Sequence, residues 1–180
     1  FAQAGPDRCL PARMVDYQPP LHIARRTGLP SASRRPYWAL RSLWPGRLLI
    51  KGVLDAEDAQ AAAGVGADGV IVSNHGGRQL DSVSSTLLKL PDIVAAVGQT
   101  IEVYLDGGVR SGIDVIKAVA LGARGVLIGR PWIWAIAARG ESGLKDLLSV
   151  FQKEVATAMA LMGINRVSEI TPEVLEPSRS

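Results

Sequence analysis

Residues 47–77 read RLLIKGVLDAEDAQAAAGVGADGVIVSNHGG, and the order of features in this stretch decides the fold class. Residues 47–53 form a short apolar run that reads as a buried strand. Asp55 follows as a helix cap, with Asp58 in the first turn and Ala59, Ala61, Ala62 and Ala63 behind it. Gly64 and Gly66 close that helix, and residues 69–73 (GVIVS) give a second apolar strand. The pattern is strand, helix, strand.

The same rhythm continues outward toward the C-terminus. Residues 85–97 predict a helix, with Pro91 near its start or breaking it. Residues 102–105 (EVYL) predict a strand, 112–121 a helix closed by Gly122, and 125–128 (GVLI) a fourth strand. Residues 132–138 and 144–162 read as helices after it. Four βα units with short apolar strands predict an α/β fold whose parallel strands are covered on both sides. Four units suit half a (β/α)8 barrel or a small open sheet, and periodicity leaves both open. A complete barrel takes roughly 250 residues, more than the 180 present.

Toward the N-terminus the pattern stops. Residues 1–36 hold six of the eleven prolines and no period, so they are expected to be loop or disorder. The chain therefore divides into an irregular segment, 1–36, and a folded part, 37–180. The first segment carries Arg8, Arg13, Arg25, Arg26, Arg34 and Arg35 against Asp7 and Asp16, a net of +4. The remainder holds 14 basic and 15 acidic residues, so the overall +3 belongs to the first segment, and no nucleic-acid partner is expected. A single cysteine, Cys9, excludes an internal disulfide framework, and with only His22 and His75 no Cys/His metal cluster is expected. No apolar run approaches the ~20 residues of a membrane helix, and residues 1–20 do not read as a signal peptide. A start at Phe1 reads as processing or as a fragment.

In a βα barrel the functional groups lie at the C-terminal ends of the strands. Here those ends carry Lys51; Ser73 through Arg78; Asp106, Gly107, Gly108, Val109 and Arg110; and Gly129 with Arg130. The last two read as a phosphate site. Gly107 and Gly108 permit close backbone approach, the helix starting near Ser111 aims its N-terminus at the same place, and Arg110 and Arg130 add forked donors. The alternative is a plain turn. His75 carries an imidazole, the side chain suited to taking a proton at neutral pH. Arg78, in the same loop, can hold a carboxylate through two parallel hydrogen bonds. The bland reading is a buried loop histidine beside a surface arginine. Lys51, at the end of an apolar strand, needs an anionic or acceptor partner, either a cofactor edge or a carboxylate such as Asp106. Trp132 and Trp134 read as core or interface packing, and Cys9 and His22 receive no role.

The string SNHGGRQLD at residues 73–81 resembles the signature of the FMN-dependent α-hydroxy acid oxidases and dehydrogenases. IKGV at 50–53, DGGVRSGIDVIKAVALG at 106–122 and IGRP at 128–131 resemble the same family, and the likeness runs from about residue 38 to 170. LLIKGV, LIGRP and SEIT are similar to its bacterial lactate and mandelate dehydrogenase branch. The resemblance implies the C-terminal half of a (β/α)8 TIM barrel that binds FMN and oxidises an L-2-hydroxy acid to the 2-oxo acid. It implies His75 as base and Arg78 as carboxylate clamp, with Lys51 near flavin N1 and Ser73 hydrogen-bonded to the flavin. Asp106, Gly107, Gly108, Val109, Arg110, Gly129 and Arg130 would hold the phosphate and ribityl chain. It also implies a longer complete protein, whose first four βα units supply a tyrosine pair, more flavin contacts and an aspartate orienting the histidine. None of these is recognisable here. The expected partners are a small 2-hydroxy acid and a quinone, cytochrome or oxygen as electron acceptor. The complete protein is expected to be a homo-oligomer, cytoplasmic or peripheral on the inner face of the cell membrane. Two competing readings stand beside this one: another FMN-dependent barrel enzyme such as an isomerase, and a non-catalytic half-barrel that binds flavin or phosphate.

Overall fold

The structure, a computed structural model, describes Arg13–Asp16 and residues 40–175. Its strands are β1 (Arg13–Asp16), β2 (Leu48–Val53), β3 (Gly69–Val72), β4 (Glu102–Leu105) and β5 (Gly125–Val126). Its helices are α1 (Ala56–Gly64), α2 (Thr86–Val97), α3 (Gly112–Ala120) and α4 (Arg130–Leu161), with single 3-10 turns at His75–Gly77, Val167–Glu169 and Pro172–Val174.

All neighbouring strands pair in parallel, in the order β1-β2-β3-β4-β5. Each new strand joins the same edge of the sheet. A doubly wound open sheet reverses its strand order at a switch point, whereas a barrel winds one way. The alternative left open by periodicity is therefore decided in favour of a partial barrel.

The helices form where local chemistry starts and stops them. Asp55 caps α1 by accepting from the Glu57 N–H at 2.9 Å, and Gly66 turns the chain away at φ +82°. Ser85 caps α2, which runs through Pro91 without breaking because Leu90, Ile93 and Val97 are buried against the sheet. In α4, Arg139 and Gly140 leave helical geometry, so two helical segments meet there, as the two predicted helices require. Gly52 lies inside β2 at φ +97°, where the register with β3 shifts between Lys51 and Val53. This bulge sits immediately after Lys51, at the strand's functional end. Strand β5 is shorter than the four residues expected, although the Leu127 N–H still donates to Leu105 O at 2.8 Å.

One expectation is corrected by β1. Arg13–Asp16 lies in the segment read as irregular, yet it pairs with residues 48–51 of β2. Four residues are too few to show a period, and strand character comes from the partner more than from the segment itself. Cys9, His22 and the rest of 1–36 lie outside the described residues.

The main core fills the space between sheet and helices. Ile50, Val70, Val72, Val103 and Leu105 from the strands pack with Ala59, Ala62, Leu90, Ile93, Val97 and Ala118 from the helices. These are alternate strand residues, as period-two geometry requires. The intervening positions point to the other face, where Ile71 is buried while Leu49, Lys51, Glu102 and Tyr104 are only partly buried. Among the described residues helices cover one face of the sheet. The uncovered face corresponds to a barrel interior, which only opposing strands can fill.

Candidate active site

Ten of the eleven sequence-chosen residues line one cleft of about 700 Å³ at the C-terminal ends of the strands: Lys51, His75, Arg78, Asp106, Gly107, Gly108, Val109, Arg110, Gly129 and Arg130. Ser73 does not reach it. With no exposed surface, Ser73 lies beneath Lys51, and its Oγ accepts from Lys51 Nζ at 3.2 Å and from the His75 N–H at 3.1 Å.

Lys51 also lies 3.1 Å from Asp106 Oδ2, with both side chains largely withdrawn from solvent. The carboxylate partner considered for Lys51 from sequence is therefore present. Arg78, Arg110 and Arg130 form no ion pair among the described residues. Three unmatched guanidinium groups on one cleft make it an acceptor for anions.

His75 opens the 3-10 turn that follows β3. Asn74 caps that turn, its Oδ1 accepting from the Gly76 N–H at 2.9 Å. His75 itself has φ +52°, in the left-handed region that a non-glycine residue enters at a cost of about 1 kcal/mol or more. Its Nε2 is buried and has no hydrogen-bond partner. A buried ring nitrogen normally finds a partner, so an unsatisfied one lining a cleft is a place for a ligand atom.

The phosphate reading requires one change. Several N–H groups around the start of α3 are already taken by side chains: Asp114 Oδ2 accepts from the Arg110 and Ser111 N–H groups at 3.0 and 3.1 Å, and Glu154 Oε2 accepts from the Gly112 N–H at 2.6 Å. Ser111 and Asp114 complete a capping box. Those N–H groups are occupied within the protein, so at this end the side chain of Arg110 is the donor that faces the cleft. Glu154 reaches this helix end from α4, a long-range contact with no local sequence signal. Helix α4 differs, because no side chain caps its first turn at Gly129. A Cβ added at Gly108 or Gly129 would meet nothing within 4 Å, so protein packing does not demand glycine at either position. Gly108 has φ +85°, which does favour glycine; Gly129 has φ −112°, which does not.

Sequence reasoning missed several neighbours. Asn74 and Thr86 flank Gly107, and Gln79, Ile133 and Trp134 join the cleft wall. Trp134 is 62% exposed and Trp132 41%, so neither is a core residue in the described structure. No group of His, Cys, Asp and Glu that could hold a metal is present among the described residues.

Comparison with known proteins follows the same residues. A family model described as FMN-dependent dehydrogenase matches residues 22–177. The chain is 55% identical over 136 residues to an L-lactate dehydrogenase of Caulobacter sp. (strain K31), covering 76% of this chain and 36% of that protein. It is 49% identical over 146 residues to an L-lactate dehydrogenase of Pseudomonas putida (strain W619), covering 81% and 38%. Among solved structures, mandelate oxidase with (S)-4-hydroxymandelic acid superposes with a TM-score of 0.73 at 47% identity, covering 76% of this chain and 39% of that one. A monotopic membrane protein, (S)-mandelate dehydrogenase, gives 0.77 at 40% identity, covering 87% and 42%. The chain spans little more than a third of the length of these curated relatives.

Proposed function

The chain belongs to the FMN-dependent dehydrogenase family, and we propose that, as part of a complete barrel, it oxidises an L-2-hydroxy acid of the lactate or mandelate type to the 2-oxo acid. The observation that carries this reading is the unpartnered Nε2 of His75, buried on a cleft that also holds Arg78 and Lys51. A base beside a carboxylate clamp is what removal of hydrogen from a 2-hydroxy acid needs.

The cleft fits FMN in the chemistry of its donors. The unpaired Arg110 and Arg130, with the backbone at Gly108 and Gly129, suit a phosphate dianion. Asp106 suits ribityl hydroxyls. Lys51, held by Ser73 and Asp106, places a positive charge where an electron-rich ring edge would gain from it. FMN, when bound, supplies the acceptor for the two electrons released by the oxidation. Arg78 binds the substrate carboxylate, and His75 takes the proton released at the α-carbon or its hydroxyl. Ser73 acts from below, by fixing Lys51 and the His75 backbone.

L-Lactate dehydrogenases and mandelate oxidases and dehydrogenases among the relatives support the substrate class. The monotopic membrane neighbour supports a peripheral membrane location, where a membrane-linked acceptor such as a quinone or cytochrome would take the electrons. No helix among the described residues is long and apolar enough to cross a membrane. The test is spectroscopic. The complete protein, loaded with FMN and mixed anaerobically with L-lactate or L-mandelate, should lose its yellow absorbance. A flavin that stays oxidised with either acid rejects the reading.

A further inference from the structure

Two loops from different strands meet behind the cleft, and their contact runs through Gly107. Gly107 has φ +87°, and a Cβ added there would lie 2.8 Å from Asn74 Oδ1 and 3.3 and 3.4 Å from Oγ1 and Cγ2 of Thr86. Both side chains thus pack on the side of Gly107 where a Cβ would stand. Thr86, the first residue of α2, is 2% exposed, and its hydroxyl donates to the Gly107 carbonyl at 3.0 Å. Asn74 Oδ1 holds the Gly76 N–H of the His75 turn.

Packing alone does not call for a hydroxyl at this buried position, since valine has nearly the same shape. What the hydroxyl adds is direction. In a planar trans peptide the carbonyl of one residue and the N–H of the next point opposite ways. With the Gly107 carbonyl drawn toward α2, the Gly108 N–H is turned away from α2, and Gly108 lines the cleft.

We propose that Thr86 is a positioning residue of the cofactor site, whose hydroxyl orients the Gly107–Gly108 peptide so that the Gly108 N–H is presented to an anionic or polar group in the cleft. Asn74, packed beside Thr86 on the same side of Gly107, ties that orientation to the turn that carries His75. The identity of the ligand as FMN rests on the functional reading above; the orienting role does not.

The test compares the complete protein with its Thr86→Val and Thr86→Ser variants. Two readouts are taken: the amide NMR signals of Gly107 and Gly108, and the FMN dissociation constant from quenching of flavin fluorescence. Thr86→Val should displace the Gly108 amide signal and weaken FMN about three- to tenfold, the scale of one net hydrogen bond. Thr86→Ser should restore both. Should Thr86→Val not fold, Thr86→Ala gives the same comparison without a hydroxyl. An unchanged Gly108 signal in the hydroxyl-free variant, or a serine variant no better than it, overturns the proposal. So does a displaced signal with unaltered FMN affinity. If the complete protein itself shows no FMN binding, the cofactor reading fails, and the amide signals still decide the role of Thr86.

Discussion

Lys51 Nζ and Asp106 Oδ2 stand 3.1 Å apart, tying the functional end of β2 to that of β4 across β3. Both side chains are withdrawn from water, at 15% and 17% exposure, so each charge depends on the other more than a surface pair does. Ser73 Oγ adds a second acceptor for Lys51 at 3.2 Å. Lys51→Met should therefore leave Asp106 underpaired, and Asp106→Asn should leave Lys51 with Ser73. Each single variant should cost ~1–3 kcal/mol in urea denaturation. A double-mutant cycle should return a coupling of about 1 kcal/mol, and additivity within error would show that the pair contributes nothing.

Two glycines near the site should respond in opposite ways to alanine. At Gly112 the new Cβ would lie 2.6 Å from Glu154 Cβ, 2.7 Å from the Val155 nitrogen and 2.9 Å from the Phe151 oxygen. Two of those are backbone atoms that cannot swing aside, so Gly112→Ala should cost ~1–3 kcal/mol by forcing α3 from α4. At Gly129 the new Cβ meets nothing, and φ is outside the left-handed region. Gly129→Ala should leave the melting temperature nearly unchanged and lower FMN affinity if the cofactor approaches that backbone. Calorimetry and flavin titration on both variants check the contrast. Equal stability losses would contradict it.

That contrast also shows what the sequence could reveal. The βα rhythm, the helix cap at Asp55 and the break between residues 138 and 144 are local signals, and each is found in the structure. The cleft was legible because barrel geometry brings strand ends together whatever the intervening sequence. The winding order was not legible, since apolar strands of equal character carry no label for their neighbours. Glu154 at the start of α3 and Thr86 at Gly107 were equally hidden. Their partners lie 42 and 21 residues away, beyond any helix or strand period. The strand at Arg13–Asp16 was missed for the same reason, being specified by its pairing with β2.

Tyr104 predicts an alkaline weakness of the half-barrel. It lies on the face of β4 away from the helices, and its hydroxyl donates to Glu102 Oε2 at 2.8 Å. Burial raises its pKa above the usual 10.0, and the hydrogen bond to Glu102 and that residue's negative charge raise it further. A raised native pKa favours the protonated phenol in the fold. The resulting stability is complete below the unfolded value near 10 and is lost as pH rises through the higher native value. Denaturation midpoints measured from pH 9 to about 11 should fall, and Tyr104→Phe should fall less steeply. Parallel slopes for the two proteins would remove Tyr104 from the account.

His75 is where strain, burial and an unsatisfied atom coincide. Its φ of +52° and the partnerless Nε2 persist because Ser73 holds its backbone N–H and Asn74 holds the next residue in the turn, at the Gly76 N–H. If Nε2 takes the proton in 2-hydroxy acid oxidation, removing the base should cost the ~10²–10⁴-fold that positioned general base catalysis contributes. His75→Gln in the complete protein should lower the rate of anaerobic flavin reduction by at least that lower bound. FMN should stay bound, because the anion contacts proposed for it are at Arg110 and Arg130. Arg78→Lys keeps the charge and loses the fork, so it should raise the substrate concentration needed for half-maximal reduction more than it lowers the limiting rate. Single-turnover reduction measured across substrate concentrations separates the two effects. Near-native limiting reduction by His75→Gln would end the assignment of the base.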